Sequence, residues 1–244
     1  MANRLEGGAP SAVTSSKARR SETAHFGPGL FAFLKELAAN NDRAWFQRHK
    51  HRYEAEVKEP MLRFIADFEA KLGRISRHFD ADARPVGGSM FRIYRDTRFS
   101  KDKSPFKTAA SAHFPHAKGG KDVHAPGFYL HLEPGECMGG GGLWHPDGVA
   151  LQRVRERIVS RAKEWKAVVA GGLAISGDAL KRPPAGFDPS HPFVEDLKRK
   201  DLYVITKFSE KDVCGPDFLE RYTDACRTSA PLVAFLTKAL GLPW

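Results

Sequence analysis

Six basic side chains crowd one short stretch. Arg92, Arg95, Arg98, Lys101, Lys103 and Lys107 fall within FRIYRDTRFSKDKSPFKT (Phe91 to Thr108), where Asp96 and Asp102 are the only acids, so six bases less two acids leave a local formal charge of +4. A guanidinium presents a planar fork that matches phosphate or carboxylate oxygens, and several forks on a rigid strand make a better anion site than mobile lysines. Ser100 and Ser104 can add hydroxyl donors. If Phe91 and Ile93 face a core, alternation turns Arg92 and Tyr94 to the other face. Arg95, Asp96 and Arg98 then fall where strand gives way to loop, and the arginines converge near one sheet end. In the alternative, Asp96 pairs with Arg92, Arg95 or Arg98 and Asp102 with Lys101 or Lys103, an ion-pair network that only pins the loop; two acids still cannot neutralise six bases.

A second constellation bears histidine: His113 and His116 in AHFPH, His124 in DVHAPG, His131 with Glu133 in YLHLEP, and His145 in LWHPD. If TAASAHFP and GFYLHLEP pair, Tyr129, His131 and Glu133 share the face opposite Phe128, Leu130 and Leu132, with His113 beside them. Asp96, His113, His131 and Glu133 are thus the candidates for proton transfer. The histidine spacing matches no zinc motif such as H-E-x-x-H, so no metal is assigned and the cofactor stays unknown. The run Gly139 to Gly142 permits close backbone approach by a ligand or neighbouring chain, or marks a bent strand. Phosphate-loop, dinucleotide-binding and serine-hydrolase signatures are absent.

The elements that must position these residues follow from periodicity. Phe31, Leu34 and Leu37 recur at helical spacing, entered at Pro28-Gly29 and stopped at Asn40-Asn41, and Asp42 is placed to cap a short helix that turns Trp45 and Phe46 inward. From Tyr53 to Ile75 an apolar stripe marks a long helix that Pro60 must kink or restart. SMFRIYRD, TAASAHFP, GFYLHLEP and ECMGGGGLW read as strands of an antiparallel meander. Asp147 begins a helix ending at Gly171-Gly172, LYVITKF (202 to 208) reads as a further strand, and Asp217 as the cap of a C-terminal helix broken at Pro231. The fold class is α+β: a single domain, 26–244, in which N- and C-terminal helices pack an antiparallel sheet of about four or five strands. Residues 1–25 lack apolar periodicity and read as a disordered basic tail.

Bulk properties agree with these assignments. The 244 residues are 41% hydrophobic, enough for an ordinary core, and 39 Lys and Arg against 29 Asp and Glu give a net charge of +10. Such a field favours phosphates, nucleic acid or acidic surfaces. Cys137, Cys214 and Cys226 are odd in number and form no C-x-x-C pair, which argues against a disulfide framework or zinc ribbon and for a reducing, cytoplasmic setting. They read as buried small hydrophobes. No membrane-spanning run or signal peptide is evident.

LKELAANNDRAWFQRHKHRYE, GGSMFRIYRDTRFSKDKSPFKT, GFYLHLEP and GGGLWHPD resemble the family called domain of unknown function 2461, over about Phe26 to Leu240. The resemblance implies a single domain and brings no activity, cofactor or substrate. It singles out Arg92, Arg95, Asp96, Arg98, Phe99, Lys101, Asp102, Lys103 and Lys107, together with Asn41, Arg43, Trp45 and Phe46.

Three functions compete on this sequence. The leading one is an anion-binding domain gripping a phosphate group of nucleic acid or a nucleotide through Arg92, Arg95, Arg98, Lys101, Lys103 and Lys107, with no membrane partner. The second is an enzyme acting on a phosphorylated or carboxylated small molecule, which requires a deep pocket joining the two constellations. The third is a protein-interaction scaffold, favoured if the basic segment is fully self-paired and no concave site exists. Whether the protein is an enzyme, and its oligomeric state, stay open at this stage.

Overall fold

The computed structural model describes residues 24–119 and 124–244, so the tail expected over 1–25 falls outside the described residues but for its last two. Of these, His25 sets its ring edge-on to Phe64 and contacts Asp67 at 3.0 Å. In chain order the elements are α1 (Pro28–Ala39), α2 (Arg43–Arg52), a π-helical turn (Tyr53–Lys58), α3 (Glu59–Ile75), β1 (Ala110–Pro115), β2 (Gly127–Glu133), β3 (Glu136–Leu143), α4 (Gly148–Ser160), α5 (Ala162–Ala170), α6 (Val194–Leu197), β4 (Leu202–Phe208), α7 (Glu210–Val213) and α8 (Phe218–Ala239). The α+β class follows, with a four-stranded antiparallel sheet in the order β1-β2-β3-β4.

The helical half obeys its local chemistry. Asp42 adopts an extended backbone and accepts the Trp45 N–H at 2.8 Å, capping α2 so that Trp45 and Phe46 turn inward. Pro60 sits in the first turn of α3, where helix runs on from α2 through the π-helical turn: proline has no N–H for the Glu56 carbonyl and its ring would strike that carbonyl. The preceding turn widens instead, and the Glu59 N–H reaches back to Glu54.

One sheet face carries Phe114, Phe128, Leu130 and Leu132 against α3 and α8, all fully buried. The glycine run of β3 lets α8 approach this face. A Cβ at Gly139 would lie 2.6 Å from Tyr222 Cε2, and one at Gly141 would lie 2.7 Å from Val233 Cγ2. The close approach allowed by these glycines is therefore taken up by the protein's own helix. A second cluster joins α4, α5 and α8 to the β4 edge through Trp165, Leu202, Leu232 and Phe235, and the Trp165 indole donates to Asp196 at 2.9 Å.

Four expectations are corrected. SMFRIYRD is no strand: it makes isolated bridges, Met90 to Ala112 and Tyr94 to Phe106, because after Phe91 it leaves β1 and bonds to its own return arm, Arg95 N–H to the Pro105 carbonyl and Lys107 N–H to that of Ile93. The helix begun at Asp147 divides at Arg161, whose backbone (φ −121°, ψ 41°) is not helical. Asp217 holds the N-cap position of α8, but its side chain accepts no backbone N–H there; its carboxylate takes the Arg221 guanidinium at 2.7 Å. Pro231 sits inside an unbroken α8, on its exposed side, where water can solvate the Arg227 carbonyl that loses a donor. Among the described residues no helix is long and apolar enough to cross a membrane.

Candidate functional site

The basic segment folds as a two-armed loop clamped at its root. The Asn41 carboxamide, in the turn between α1 and α2, accepts the Phe106 N–H at 3.1 Å and donates to the Phe106 carbonyl at 3.0 Å. Phe46 stacks on the Phe106 ring, centroids 4.1 Å apart. Ile93 is buried while Arg92 and Tyr94 face solvent, as alternation predicts. Phe91 is half-buried instead, lying over the polar face of the sheet against His113 and Tyr129.

The acids are both taken by arginines, though not all in the expected pairs. Asp96 binds Arg98 at 2.7 Å. The Arg98 side chain and backbone N–H hold its carboxyl down at about 2. Asp102 binds Arg95 rather than a lysine and also accepts the Ser104 hydroxyl and N–H, which with Arg95 hold it well below the usual carboxylate range. Arg95 also donates to the Ser104 carbonyl at 3.3 Å and Lys103 to the Thr97 carbonyl at 2.9 Å. Arg95 and Arg98 are thus held by separate carboxylates. Arg92, Lys101, Lys103 and Lys107 have no carboxylate partner among the described residues. The Lys107 ammonium lies 5.0 Å from the Phe91 ring centroid, and burial, then Arg92, lower its pKa. Asp96, held so low, is a weak proton acceptor near neutral pH.

The sheet's other face assembles the second constellation by strand register. Tyr129 stands opposite His113, His131 opposite both Ser111 and Met138, and Glu133 opposite Glu136. The His131 Nε2 lies 3.2 Å from Glu133 Oε2, and its Nδ1 lies 3.1 Å from each of the Ser111 and Tyr129 hydroxyls. An ionised carboxylate only accepts, so in the neutral ring the proton sits on Nε2 and Nδ1 accepts from a hydroxyl. The Thr108 hydroxyl donates to Glu133 Oε1 at 2.5 Å, which joins the end of the basic loop to this face. Burial raises the pKa of the Tyr129 phenol, so it serves as a hydroxyl.

The remaining histidines do not join them. His116 is buried and contacts the Pro243 carbonyl at 2.9 Å, while His124 lies by the Trp144 carbonyl and the His145 N–H is held by Asp201 at 2.6 Å. An open groove of about 1000 Å³ reaches His113 and Phe91, but not the arginines, His131 or Glu133. Its charged lining is Glu69, Asp80 and Asp82 against Arg84, so it neither joins the two constellations nor suits an anion. Burial raises the thiols, Cys137 to about 11 and Cys226 further, as fits packing residues.

Thr108, Ser111 and Glu136 escaped the sequence reading although signals existed. Ser111 lies two positions from His113 and so shares its face, and Pro134-Gly135 makes a two-residue turn, Gly135 at φ +80°, that sets Glu133 against Glu136.

The chain belongs to the family described as conserved hypothetical protein (DUF2461), which it matches over residues 29–235. No curated protein and no solved structure matches it.

Proposed function

We propose that the protein is an anion-binding domain whose loop from Phe91 to Thr108 grips a phosphate group, carried by nucleic acid or a nucleotide. The observation that carries this reading is the division of labour among the loop's bases: Arg95 and Arg98 consume both acids, leaving Arg92, Lys101, Lys103 and Lys107 without a carboxylate partner among the described residues. In this reading the two paired arginines shape the loop and stay within reach of a ligand, and the four remaining bases supply its positive field. Half-buried Lys107 gains most from an anion, because a charge already stripped of water is strongly stabilised by a counter-ion.

Thermal-shift titration tests this with inorganic phosphate, nucleotides, short DNA and short RNA against wild type and an Arg92→Ala/Lys101→Ala variant, since a ligand of the native state raises the melting temperature. The expected result is stabilisation of wild type that falls with salt and is lost in the variant. Absence of binding to every one of these anions at low salt sinks the reading.

A second reading, an enzyme acting on a phosphorylated or carboxylated small molecule, draws on the Thr108 to Glu133 hydrogen bond, which sets the loop's end against His131. Among the described residues it lacks the pocket it calls for, since the groove at His113 does not join the two constellations. Proton transfer would then fall to His131 and Glu133, with His113 at hand and Asp96 the weakest of the four candidates.

A further inference from the structure

The geometry points to a divalent transition-metal site on the β2–β3 hairpin, formed by His131, Glu133 and Glu136; it does not rest on the anion-binding reading. One donor atom from each of the three lies within 4.8 Å of the others. Strand register explains the grouping, for His131 and Glu133 are two apart on β2 and so share a face, and Glu136 is the cross-strand partner of Glu133. Two ligands of one tetrahedral metal, each at about 2.0–2.1 Å, stand about 3.3 Å apart. His131 Nε2 and Glu133 Oε2 already stand 3.2 Å apart. Exposed Glu136, its carboxylate within the same 4.8 Å, would supply the third side.

The surrounding hydrogen bonds suit ligation. Thr108 occupies Glu133 Oε1 and leaves Oε2 toward the imidazole, while the hydroxyls of Ser111 and Tyr129 sit at Nδ1, where the outer partner of a metal-bound histidine belongs. On binding, the ring exchanges tautomers: Nε2 gives up its proton and offers its lone pair to the cation, and Nδ1 takes up a proton and donates it to a hydroxyl oxygen. Ring charge is unchanged, and two carboxylates neutralise the ion. One imidazole with two carboxylates fits zinc, manganese or ferrous iron better than calcium or magnesium, and three protein ligands leave coordination positions open. The nearest base in the same register row, Lys207, lies across Met138 and is exposed.

The test is calorimetric titration of the chelator-treated full chain with Zn²⁺, paired with long-range ¹H–¹⁵N spectra of the histidine rings. Wild type is expected to bind at this site and to move the His131 ring proton from Nε2 to Nδ1. Glu136→Gln, at an exposed position that leaves the fold intact, should weaken binding tenfold or more. A Ser111→Ala/Tyr129→Phe variant, whose residues position His131 without touching metal, should weaken it about tenfold or more and disturb the tautomer shift. Failure of wild type to bind Zn²⁺, equal affinity in Glu136→Gln, or an unchanged His131 ring at saturation would each overturn the assignment. Phosphate stabilisation retained by Glu136→Gln separates this outcome from the anion-binding reading.

Discussion

Asn41 grips the peptide of Phe106 on both sides, 3.1 Å from its N–H and 3.0 Å from its carbonyl, so one side chain between two helices fixes the root of the basic loop. The contact spans 65 residues of sequence and gives the loop a fixed base against which its charges can be arranged.

Removing that clamp is the first prediction. Each partly buried hydrogen bond contributes about 1 kcal/mol, with an added cost when its partner is left unpaired, so Asn41→Ala should destabilise the fold by about 1–3 kcal/mol. Chemical denaturation measures the loss, and hydrogen exchange at Phe106 should quicken with it. Unchanged exchange at that amide would show that the ring stack on Phe46 suffices.

Acid should loosen the loop within a defined window. Asp96 titrates at about 2 instead of the ordinary 3.8, and Asp102 is also held low. The contribution of Asp96 to stability is therefore present above its unfolded value of 3.8 and lost as pH falls through about 2, and that of Asp102 is lost at still lower pH. Side-chain carboxyl NMR titration reads both groups directly, and an ordinary midpoint for Asp96 would mean that the Arg98 pair does not persist in solution.

Lys107 offers a check on the anion site. Its amine titrates below the ordinary 10.5, chiefly through burial, and a phosphate bound beside it should raise the midpoint again. Phosphate affinity should accordingly fall as pH climbs past the amine's depressed midpoint. An Nζ-detected NMR titration with and without phosphate distinguishes this from an anion bound elsewhere, which would leave Lys107 unmoved.

The glycines of β3 should tolerate no side chain. Gly141→Ala would press a methyl to within 2.7 Å of Val233 and 2.8 Å of Phe128, overpacking that costs about 1–3 kcal/mol. Thermal unfolding reports it, and a neutral substitution would mean that α8 can shift outward.

Pro231 predicts the opposite sign. Proline inside a helix costs about 3 kcal/mol relative to alanine, less where water solvates the freed carbonyl, so Pro231→Ala in α8 should raise stability by about 1–3 kcal/mol, with the gain read from the denaturation midpoint.

Local chemistry was written in the chain. Asp42 and Asp147 each receive an N–H three residues on, as their position before an apolar-periodic run requires, and the alternation in GFYLHLE put His131 and Glu133 on the face opposite Leu130 and Leu132. The helices, the meander and the shared face of the second constellation follow from such periods of 3.6 and 2, which a sequence displays without any partner. What the sequence could not fix is which distant groups compete for the same hydrogen bond. Asn41 finding Phe106, Asp102 choosing Arg95 over its neighbouring lysines, Thr108 reaching Glu133, and SMFRIYRD bonding to its own return arm are choices between alternatives of similar local energy. Tertiary packing decided them, because only the assembled fold sets which donor meets which acceptor and which charge loses its water.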